Sequence, residues 1–443
     1  MLQCKTKQDV MKAVKEHKVS FIQFWFTDVL GRLKSFNLTA SELEEGIEEG
    51  MGFDGSSIEG FARVHESDMI AKPDPSTFQL LPWRPSDYPV ARMVCDILTP
   101  DGTPYEGDPR YALKRVLARA AQKGYAVFLG PELEYFYFAD DTCTTILDKG
   151  GYFDGLPIDR GPDIRRDTIF SLQKMGIQVE YSHHEVAPSQ HEIDLRYKEA
   201  LTMADIVMTY RTTVKEIARQ HGVYATFMPK PIANQNGSGM HVHQSLFTGD
   251  DNAFFDTDDK YHLSKIGKHY IAGILTHARE ICAVTNQWVN SYKRLVPGYE
   301  APVYVSWARR NRSAMLRVPM YKPGKAKATR IEFRAPDPAC NPYLAFAVQI
   351  AAGLEGIEKE YTLPEPIEVD IFEMDEKARE EAGITSLPGN LFEAIQEVSK
   401  SELVREALGN HIFEKFIENK KKEWDAFRTH VSKYEIDTYL PLL

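Results

Sequence analysis

The sequence has few of the features that mark secreted, membrane-spanning or nucleic-acid-binding proteins. Five dispersed cysteines without a CxxC pair predict reduced thiols rather than a disulfide framework or a zinc site. No apolar run reaches the roughly 18 residues of a membrane-spanning helix, and the polar N-terminus lacks a signal-peptide core. A net charge of −11 without a long basic stripe argues against nucleic-acid binding. We therefore expect a cytoplasmic protein.

Common nucleotide-binding and nucleophile motifs are also missing. The chain contains no GxxxxGK[ST], no GxGxxG after the first predicted strand and no GxSxG. If the protein uses ATP, metal ions and arginines must hold the phosphates instead of a glycine-rich loop.

The chain of 443 residues is long enough for more than one domain, since domains average about 100–200 residues. Turn-forming residues concentrate at 100–108 and predict a boundary, giving domains at 1–104 and 105–443. A hairpin of residues 19–26 and 33–39, with a strand at 91–98, predicts a compact α+β first domain. In the second domain strands alternate with predicted helices, which begin at Asp108-Pro109 and recur near 164–175, 201–221, 264–285 and 342–358.

The segment GPELEYF (130–136) is the first candidate site. Strand side chains alternate, so Glu132 and Glu134 share one face, within a run that is apolar on both faces. Buried neighbouring carboxylates repel each other unless a cation lies between them. The alternative is an exposed strand with salt bridges, and this segment alone does not decide between the two.

Two histidine-containing segments are further candidates. In 180–192, Pro188 would let Glu185 and Glu192 face each other across a bend, although a solvated loop explains the same residues. In NGSGMHVHQS (236–245), glycines permit close backbone approach to a ligand before His241 and His243 on a predicted strand. This pair is a candidate metal and phosphate site, although an isolated HxH is more often structural.

A basic series follows along the chain. Guanidinium groups match the geometry of carboxylate and phosphate oxygens, while each arginine taken singly is better explained as surface charge. The series comprises Arg294, Arg312, Arg317, Lys327, Arg330 and Arg334, with Glu332 between the last two.

Taken together, seven segments resemble prokaryotic type I glutamine synthetases in order and spacing. They are DGSS (54–57), GPELEYF (130–136), HHEVAPSQHE (183–192), NGSGMHVH (236–243), NSYKRLVPGYEAP (290–302), NRSA (311–314) and EFRAPDPACNPYLA (332–345). The resemblance extends from about residue 20 to the C-terminus. It implies a β-grasp-like N-terminal domain, a catalytic domain with a funnel of antiparallel strands, and a homododecamer of two hexameric rings. It also implies ATP-dependent ligation of ammonia to glutamate through γ-glutamyl phosphate.

The resemblance also implies roles for individual residues. One Mg²⁺ or Mn²⁺ ion would be held by Glu134, Glu185 and Glu192, and a second by Glu132, His241 and Glu332. Glutamate would bind Asn236, Gly237, Arg294, Glu300, Arg312 and Arg334. ATP would contact Glu180, His243, Ser245, Arg312, Arg317 and Lys327.

The expected catalytic residues are Asp54, Glu300 and Arg312. Asp54, from a neighbouring subunit, would deprotonate ammonium. Glu300 would close a flap over the site, and Arg312 would offset charge on the transferred phosphoryl group.

Two positions bear on regulation. Phe392 stands where adenylylated relatives carry tyrosine, so this position cannot be adenylylated, and Arg63 matches an arginine associated with glutamine feedback. We expect feedback inhibition instead of adenylylation.

Three alternatives stay open. A γ-glutamyl–amine ligase would use an organic amine, but the retained DGSS favours ammonia. A non-catalytic homologue would be expected to lose metal ligands, and all six positions are filled. A dual role, with the inhibited enzyme binding a nitrogen-regulatory protein, is not testable from sequence.

Overall fold

The computed structural model describes residues 2–60, 68–85, 87–142, 145–311, 313–320, 325–369 and 371–443. Two sheets with flanking helices confirm the predicted α+β class. No helix among these residues is long and apolar enough to cross a membrane.

The smaller sheet is formed by the N-terminal part of the chain. Its central strands are β1 and β6, which pair in parallel, and β1 also pairs with β2 as the predicted antiparallel hairpin. Helices α1 (Lys7–Glu16) and α2 (Leu43–Glu48) accompany the sheet. The strands are β1 (Phe21–Thr27), β2 (Leu33–Thr39), β3 (Met51–Asp54), β4 (Asp68–Pro73), β5 (Gln79–Leu80) and β6 (Val90–Leu98), in the order β2-β1-β6-β4-β3, with β5 also on β6.

Helix α3 (Pro109–Gln122) begins the second part of the chain where the sequence predicts it. The Asp108 side chain caps the helix by accepting a hydrogen bond from the Arg110 backbone N–H at 2.9 Å. Pro109 takes the first helical position, where its missing N–H costs no intrahelical hydrogen bond.

The larger sheet carries the predicted site segments. Its longest strand, β7, pairs antiparallel with β12 on one side and β9 on the other. The order is β14-β15-β16-β12-β7-β9-β8, with short strands β10 and β11 on β7 and β13 on β12. The strands are β7 (Ala126–Phe138), β8 (Val179–His184), β9 (Gln190–Leu195), β10 (Lys198–Glu199), β11 (Tyr224–Thr226), β12 (Met240–Thr248), β13 (Asp251–Asn252), β14 (Trp307–Ala308), β15 (Leu316–Arg317) and β16 (Ile331–Phe333).

Long helices cover this sheet, and the predicted ones lie within two residues of their expected bounds. Helices α5, α6 and α8 contribute largely buried faces to the main core, which the N-terminal sheet's own core adjoins. The helices are α4 (Pro162–Lys174), α5 (Ala200–Gln220), α6 (Lys265–Thr285), α7 (Ser291–Arg294), α8 (Pro342–Glu358), α9 (Glu376–Glu381), α10 (Leu391–Val398), α11 (Glu402–Leu408), α12 (Asn410–Arg428) and α13 (Lys433–Tyr439).

The turn between β1 and β2 packs closely against the start of α8. Gly31 has φ +78°, and a Cβ there would lie 2.8 Å from Asn341 Cα. Asn341 Nδ2 donates to the Asp28 carbonyl at 3.1 Å. A left-handed residue without a side chain is therefore required where the two parts of the chain meet.

Candidate functional site

The site is organised around the middle of β7. Period-two alternation places Glu132 and Glu134 on one face, as predicted. Glu132 is opposite His241 of β12 and Asp194 of β9, whereas Glu134 is opposite Glu192. The two glutamates therefore have different cross-strand neighbours.

Glu132 belongs to a group we call the mixed cluster, formed by Glu132, His241, His243 and Glu332. His243 Nδ1 accepts from Arg330 Nε at 3.1 Å, so Nε2 carries the proton and donates to Glu132 Oε1 at 2.7 Å. Glu332 Oε1 accepts from Arg334 Nη1 at 2.6 Å, and Arg317 also pairs with Glu332. Glu332 is thus paired with two arginines, and Glu132 accepts a hydrogen bond from an imidazole N–H.

Glu134 belongs to the carboxylate cluster, formed by Glu134, Glu185 and Glu192, all buried. Glu134 Oε2 accepts from the Gly239 N–H and from Gln190 Nε2, both at 2.9 Å. Glu185 follows β8 and accepts from the Val186 N–H at 2.9 Å. No described arginine or lysine forms an ion pair with any of the three.

The pKa values of the two clusters shift in opposite directions. Burial, followed by the Glu185 charge, raises the pKa of Glu134 to about 8. Burial also raises the pKa of Glu185 and, together with Asp194, that of Glu192. Although burial opposes ionisation, His243 and His241 hold the pKa of Glu132 well below its usual range.

The pKa of Glu332 is lowered, as is that of Glu132. Against the effect of burial, His243 and Arg334 lower its pKa to about 2. Burial lowers the pKa of His241 to about 4, which leaves this imidazole neutral, with the lone pair of one ring nitrogen available.

Both clusters fit divalent cations. Buried carboxylates whose pKa values are raised by one another are stabilised by a cation placed between them. His183, Glu185 and Glu192 each place a ligand atom within 4.8 Å of the others, as do Glu132, His243 and Glu332. Oxygen-rich donor sets with one imidazole suit Mg²⁺ and Mn²⁺.

A narrow cavity opens beside the carboxylate cluster. It brings together five residues predicted to bind glutamate, namely Asn236, Gly237, Arg294, Glu300 and Arg334. Glu134, Glu185 and His241 also line it. We call it the arginine cavity.

Both arginines of this cavity are buried; Arg334 is paired with Glu332, whereas Arg294 is held by the main chain. Arg294 donates to the Ala335 carbonyl at 2.6 Å and to the Arg334 carbonyl at 3.1 Å. No described carboxylate lies within ion-pair distance of Arg294. Its charge is therefore oriented toward the cavity without being neutralised.

A second cavity, of about 580 Å³, opens beside the mixed cluster. It contains four of the residues predicted to contact ATP: Glu180, His243, Ser245 and Lys327. Its volume falls within the range of about 300–1,000 Å³ that is typical of small-molecule sites. We call it the outer cavity. Glu132 lines it as well, so Glu132 and Glu134, two residues apart on one face of β7, line different cavities.

Other predicted residues lie elsewhere. Asp54 is exposed at the end of β3 and, among the described residues, lines neither cavity. Arg317 pairs with Glu332 of the mixed cluster and lines neither cavity. Arg312 and Arg63 lie outside the described residues. Phe392 opens α10, half exposed, and stacks on Trp424 with ring centroids 5.8 Å apart.

Several residues that support the site were not predicted. Gln190 bonds Glu134, and His183 lies beside Glu185 with Nδ1 3.6 Å from the carboxylate. His184 contacts the Glu185 carbonyl at 2.7 Å and Asp148 at 2.8 Å, both through ring nitrogens. The sequence signal for these residues was their position in 183–192, where His183 and His184 precede Glu185, and Gln190 and His191 precede Glu192.

Comparisons with known proteins cover nearly the whole chain. Residues 18–100 match the family model "Glutamine synthetase, beta-Grasp domain", and residues 106–439 match "Glutamine synthetase, catalytic domain". Glutamine synthetase from Mycolicibacterium smegmatis is 53% identical over 442 residues, covering 98% of this chain and 99% of the relative. That from Methanosarcina mazei is 52% identical over 447 residues, covering 100% and 99%.

Solved structures agree. GmaS in complex with ADP superimposes with a TM-score of 0.89 at 31% identity, covering 97% of this chain and 99% of that one. A Plasmodium falciparum glutamine synthetase gives a TM-score of 0.86 at 27% identity, covering 98% of both chains.

Proposed function

The chain belongs to the glutamine synthetase family and makes glutamine from glutamate, ammonia and ATP, and we propose that its two cavities divide these substrates between them. Glutamate occupies the arginine cavity and ATP the outer cavity. The supporting observation is the position of Glu132 and Glu134, which share one face of β7 but line different cavities. The proposed division at residue 104 stays a prediction.

The proposed metal sites are one ion on Glu134, Glu185 and Glu192 and another on Glu132, His241 and Glu332. His241 is preferred to His243 because both nitrogens of His243 are already engaged by Arg330 and Glu132. The nitrogens of His241 reach carboxylates of Glu132, Glu134 and Glu332 only at 3.5–3.9 Å. When bound, Mg²⁺ or Mn²⁺ would offset the negative charge of the reacting phosphate and carboxylate oxygens.

Glutamate is oriented by the arginine cavity. Arg294 and Arg334 bind its carboxylates, and Asn236 with Gly237 receives the amino end. A Cβ at Gly237 would lie 2.3 Å from the Pro229 carbonyl, so only glycine fits this cavity wall. This placement presents the γ-carboxylate to the phosphoryl group arriving from the outer cavity.

Phosphoryl transfer converts the γ-carboxylate into an acyl phosphate that ammonia can attack. Glu180, His243, Ser245 and Lys327 hold the nucleotide. Arg317 keeps its predicted role toward ATP, as does Arg312, which lies outside the described residues. Glu300, exposed at the mouth of the arginine cavity, shields the acyl phosphate from water when the flap closes.

Asp54 of a neighbouring subunit removes the proton from ammonium. Its exposed position on a separate sheet, outside both cavities, favours action on another protomer's site. We propose a homododecamer of two hexameric rings. Exposed apolar residues in and beyond α13, including Tyr434, Leu440 and Leu442, provide surface for association. Glutamine feedback through Arg63, the absence of adenylylation at Phe392, a regulatory protein partner and cytoplasmic location stay predictions.

The substrate assignment is tested by phosphate release with glutamate, ATP and Mg²⁺, comparing ammonium with a panel of organic amines. We expect ammonium to be preferred. Higher kcat/KM for an organic amine would identify a γ-glutamyl–amine ligase instead.

The role of Asp54 is tested separately. Asp54→Asn should lose most ammonia-dependent turnover while ATP still binds. Mixing Asp54→Asn subunits with Glu134→Gln subunits should restore activity, because some shared sites would then combine both intact residues. Full activity of Asp54→Asn alone would remove Asp54 from the mechanism, and failure of reassembled mixtures to recover activity would argue against shared sites.

A further inference from the structure

A third cavity, of about 700 Å³, lies between the two parts of the chain. The turn between β1 and β2 forms one wall through Leu30 and Leu33, and α5 forms another. Phe227, Met228 and Trp288 add apolar surface. None of the residues proposed to bind glutamate, ATP or metal lines it. We call it the interdomain cavity.

Two cations on α5 line this apolar space without carboxylate partners. Arg211 is 9% exposed; its guanidinium donates to the Cys340 carbonyl at 2.7 Å, while its Nε has no hydrogen-bond partner. Lys215 lies one helical turn later, on the same face. Among the described residues, no carboxylate forms an ion pair with either one.

Among the described residues that line this cavity, the one acid is Glu423, and its carboxylate already has partners. Glu423 accepts from the Val289 N–H at 2.9 Å and pairs with Lys420 at 2.8 Å. It therefore does not neutralise Arg211 or Lys215. A nearly buried guanidinium whose Nε lacks a partner normally costs free energy that a bound anion would offset.

We propose that the interdomain cavity binds a small organic anion with an aromatic or branched apolar body. The acidic group would lie between Arg211 and Lys215, and the apolar body against Phe227, Met228 and Trp288. The volume is within the range of about 300–1,000 Å³ that small-molecule ligands occupy.

Occupancy of this cavity affects the arginine cavity, because residues that line the interdomain cavity are hydrogen-bonded to segments that line the arginine cavity. The Pro229 carbonyl, next to Met228, accepts from the Ser238 N–H at 2.8 Å. Asn290, two residues after Trp288, accepts from the Lys230 N–H at 2.8 Å and lies four residues before Arg294. This coupling rests on the proposed glutamate site, whereas the binding itself does not.

The binding test compares two fluorescent probes that differ in one charged group: 1-anilinonaphthalene-8-sulfonate and neutral N-phenyl-1-naphthylamine. The measurement is made on the assembled enzyme with saturating ATP, which occupies the outer cavity and prevents the probes from binding there. We expect saturable sulfonate binding that Lys215→Gln weakens about tenfold, as loss of a hydrogen bond to a charged group would. Neutral-probe binding should hardly change.

The controls are Lys174→Gln, an exposed lysine on α4 that lines no cavity described above, and Thr212→Phe, which places a bulky side chain on the cavity wall between Arg211 and Lys215. Lys174→Gln should bind both probes normally, and Thr212→Phe should weaken the binding of both. Equal binding of the two probes, no effect of Lys215→Gln, or no saturable binding because another copy covers the cavity would each overturn the proposed site. All variants should retain wild-type melting temperatures.

The coupling is measured on the same samples. Saturating sulfonate probe should change the KM for glutamate severalfold in the wild type and less in Thr212→Phe, with the KM for ATP unchanged. An unchanged glutamate KM with the probe bound would overturn the coupling. Probe binding requires no turnover, so an error in the glutamate-site assignment would leave the binding result intact.

Discussion

The mixed cluster and the carboxylate cluster contain Glu132 and Glu134, which are two residues apart on β7, yet the pKa values of these two glutamates shift in opposite directions. Glu134 faces Glu192, and burial together with the charge of Glu185 raises its pKa. Glu132 faces His241 and accepts a hydrogen bond from His243. The strands on either side of β7, rather than the ExE pattern itself, determine which glutamate ionises easily.

This difference implies different dependence on a cation. The carboxylates of the mixed cluster have hydrogen-bond or ion-pair partners in the protein and lowered pKa values, so they stay ionised without metal. The carboxylate cluster must instead retain protons or bind a cation. Metal binding to the carboxylate cluster is therefore linked to proton release, as it is wherever ligands must deprotonate.

The largest expected effect is on turnover. Glu134→Gln and Glu132→Gln should each reduce kcat/KM by about 10³-fold, because losing a ligand removes several kcal/mol of charge stabilisation. Steady-state phosphate release measures this. Glu199→Gln, at an exposed carboxylate on β10 that lines neither substrate cavity, is the matched control and should retain wild-type rates. If only one of the β7 variants were impaired, the two-ion assignment would be wrong.

The second effect is a change in the free energy of unfolding, and its sign should differ between the two clusters. With EDTA present at pH 9, Glu132→Gln should destabilise the protein by about 1–3 kcal/mol, because His243 and His241 lose their anionic partner. Glu134→Gln should be neutral or stabilising, because it removes an uncompensated buried charge. Urea unfolding of the assembled protein gives both values. Equal destabilisation by the two variants would contradict the electrostatic comparison.

The sequence predicts the framework of this site better than its electrostatics. Alternation correctly places Glu132 and Glu134 on one face, and Asp108-Pro109 correctly begins α3. The opposite pKa shifts are not predictable locally, because the partners come from β9 and β12, about 60 and 110 residues further along.

Supporting contacts were missed for the same reason. Asp148 and His184 meet only through tertiary packing, at 2.8 Å across 36 residues of sequence. Gln190 looks like an ordinary strand residue until β9 pairs with β7 and brings it to Glu134. The residue-by-residue roles carried by the family resemblance stay predictions, although the structure groups most of them at two cavities.

A third effect follows from the raised pKa of Glu134. Its folded pKa of about 8 exceeds the ordinary 4.5, so the apo protein binds an extra proton when folded. Its contribution to stability is complete below pH 4.5 and is lost as pH rises through about 8. The melting-temperature gain from Mg²⁺ should therefore be several degrees larger at pH 8.5 than at pH 6. Glu134→Gln should reduce this difference; the same gain at both pH values would refute the linkage.

The smallest expected effect tests whether the two clusters serve different substrates. Lys327 is exposed and lines only the outer cavity, while Asn236 lines only the arginine cavity. Lys327→Ala should raise the KM for ATP about five- to tenfold, the cost of one charge-assisted contact, and leave the KM for glutamate unchanged. Asn236→Ala should do the reverse. Initial rates with each substrate varied in turn give both constants. Parallel changes in both KM values for either variant would mean that the cavities act as one site, and that the face of β7 does not separate nucleotide from amino acid.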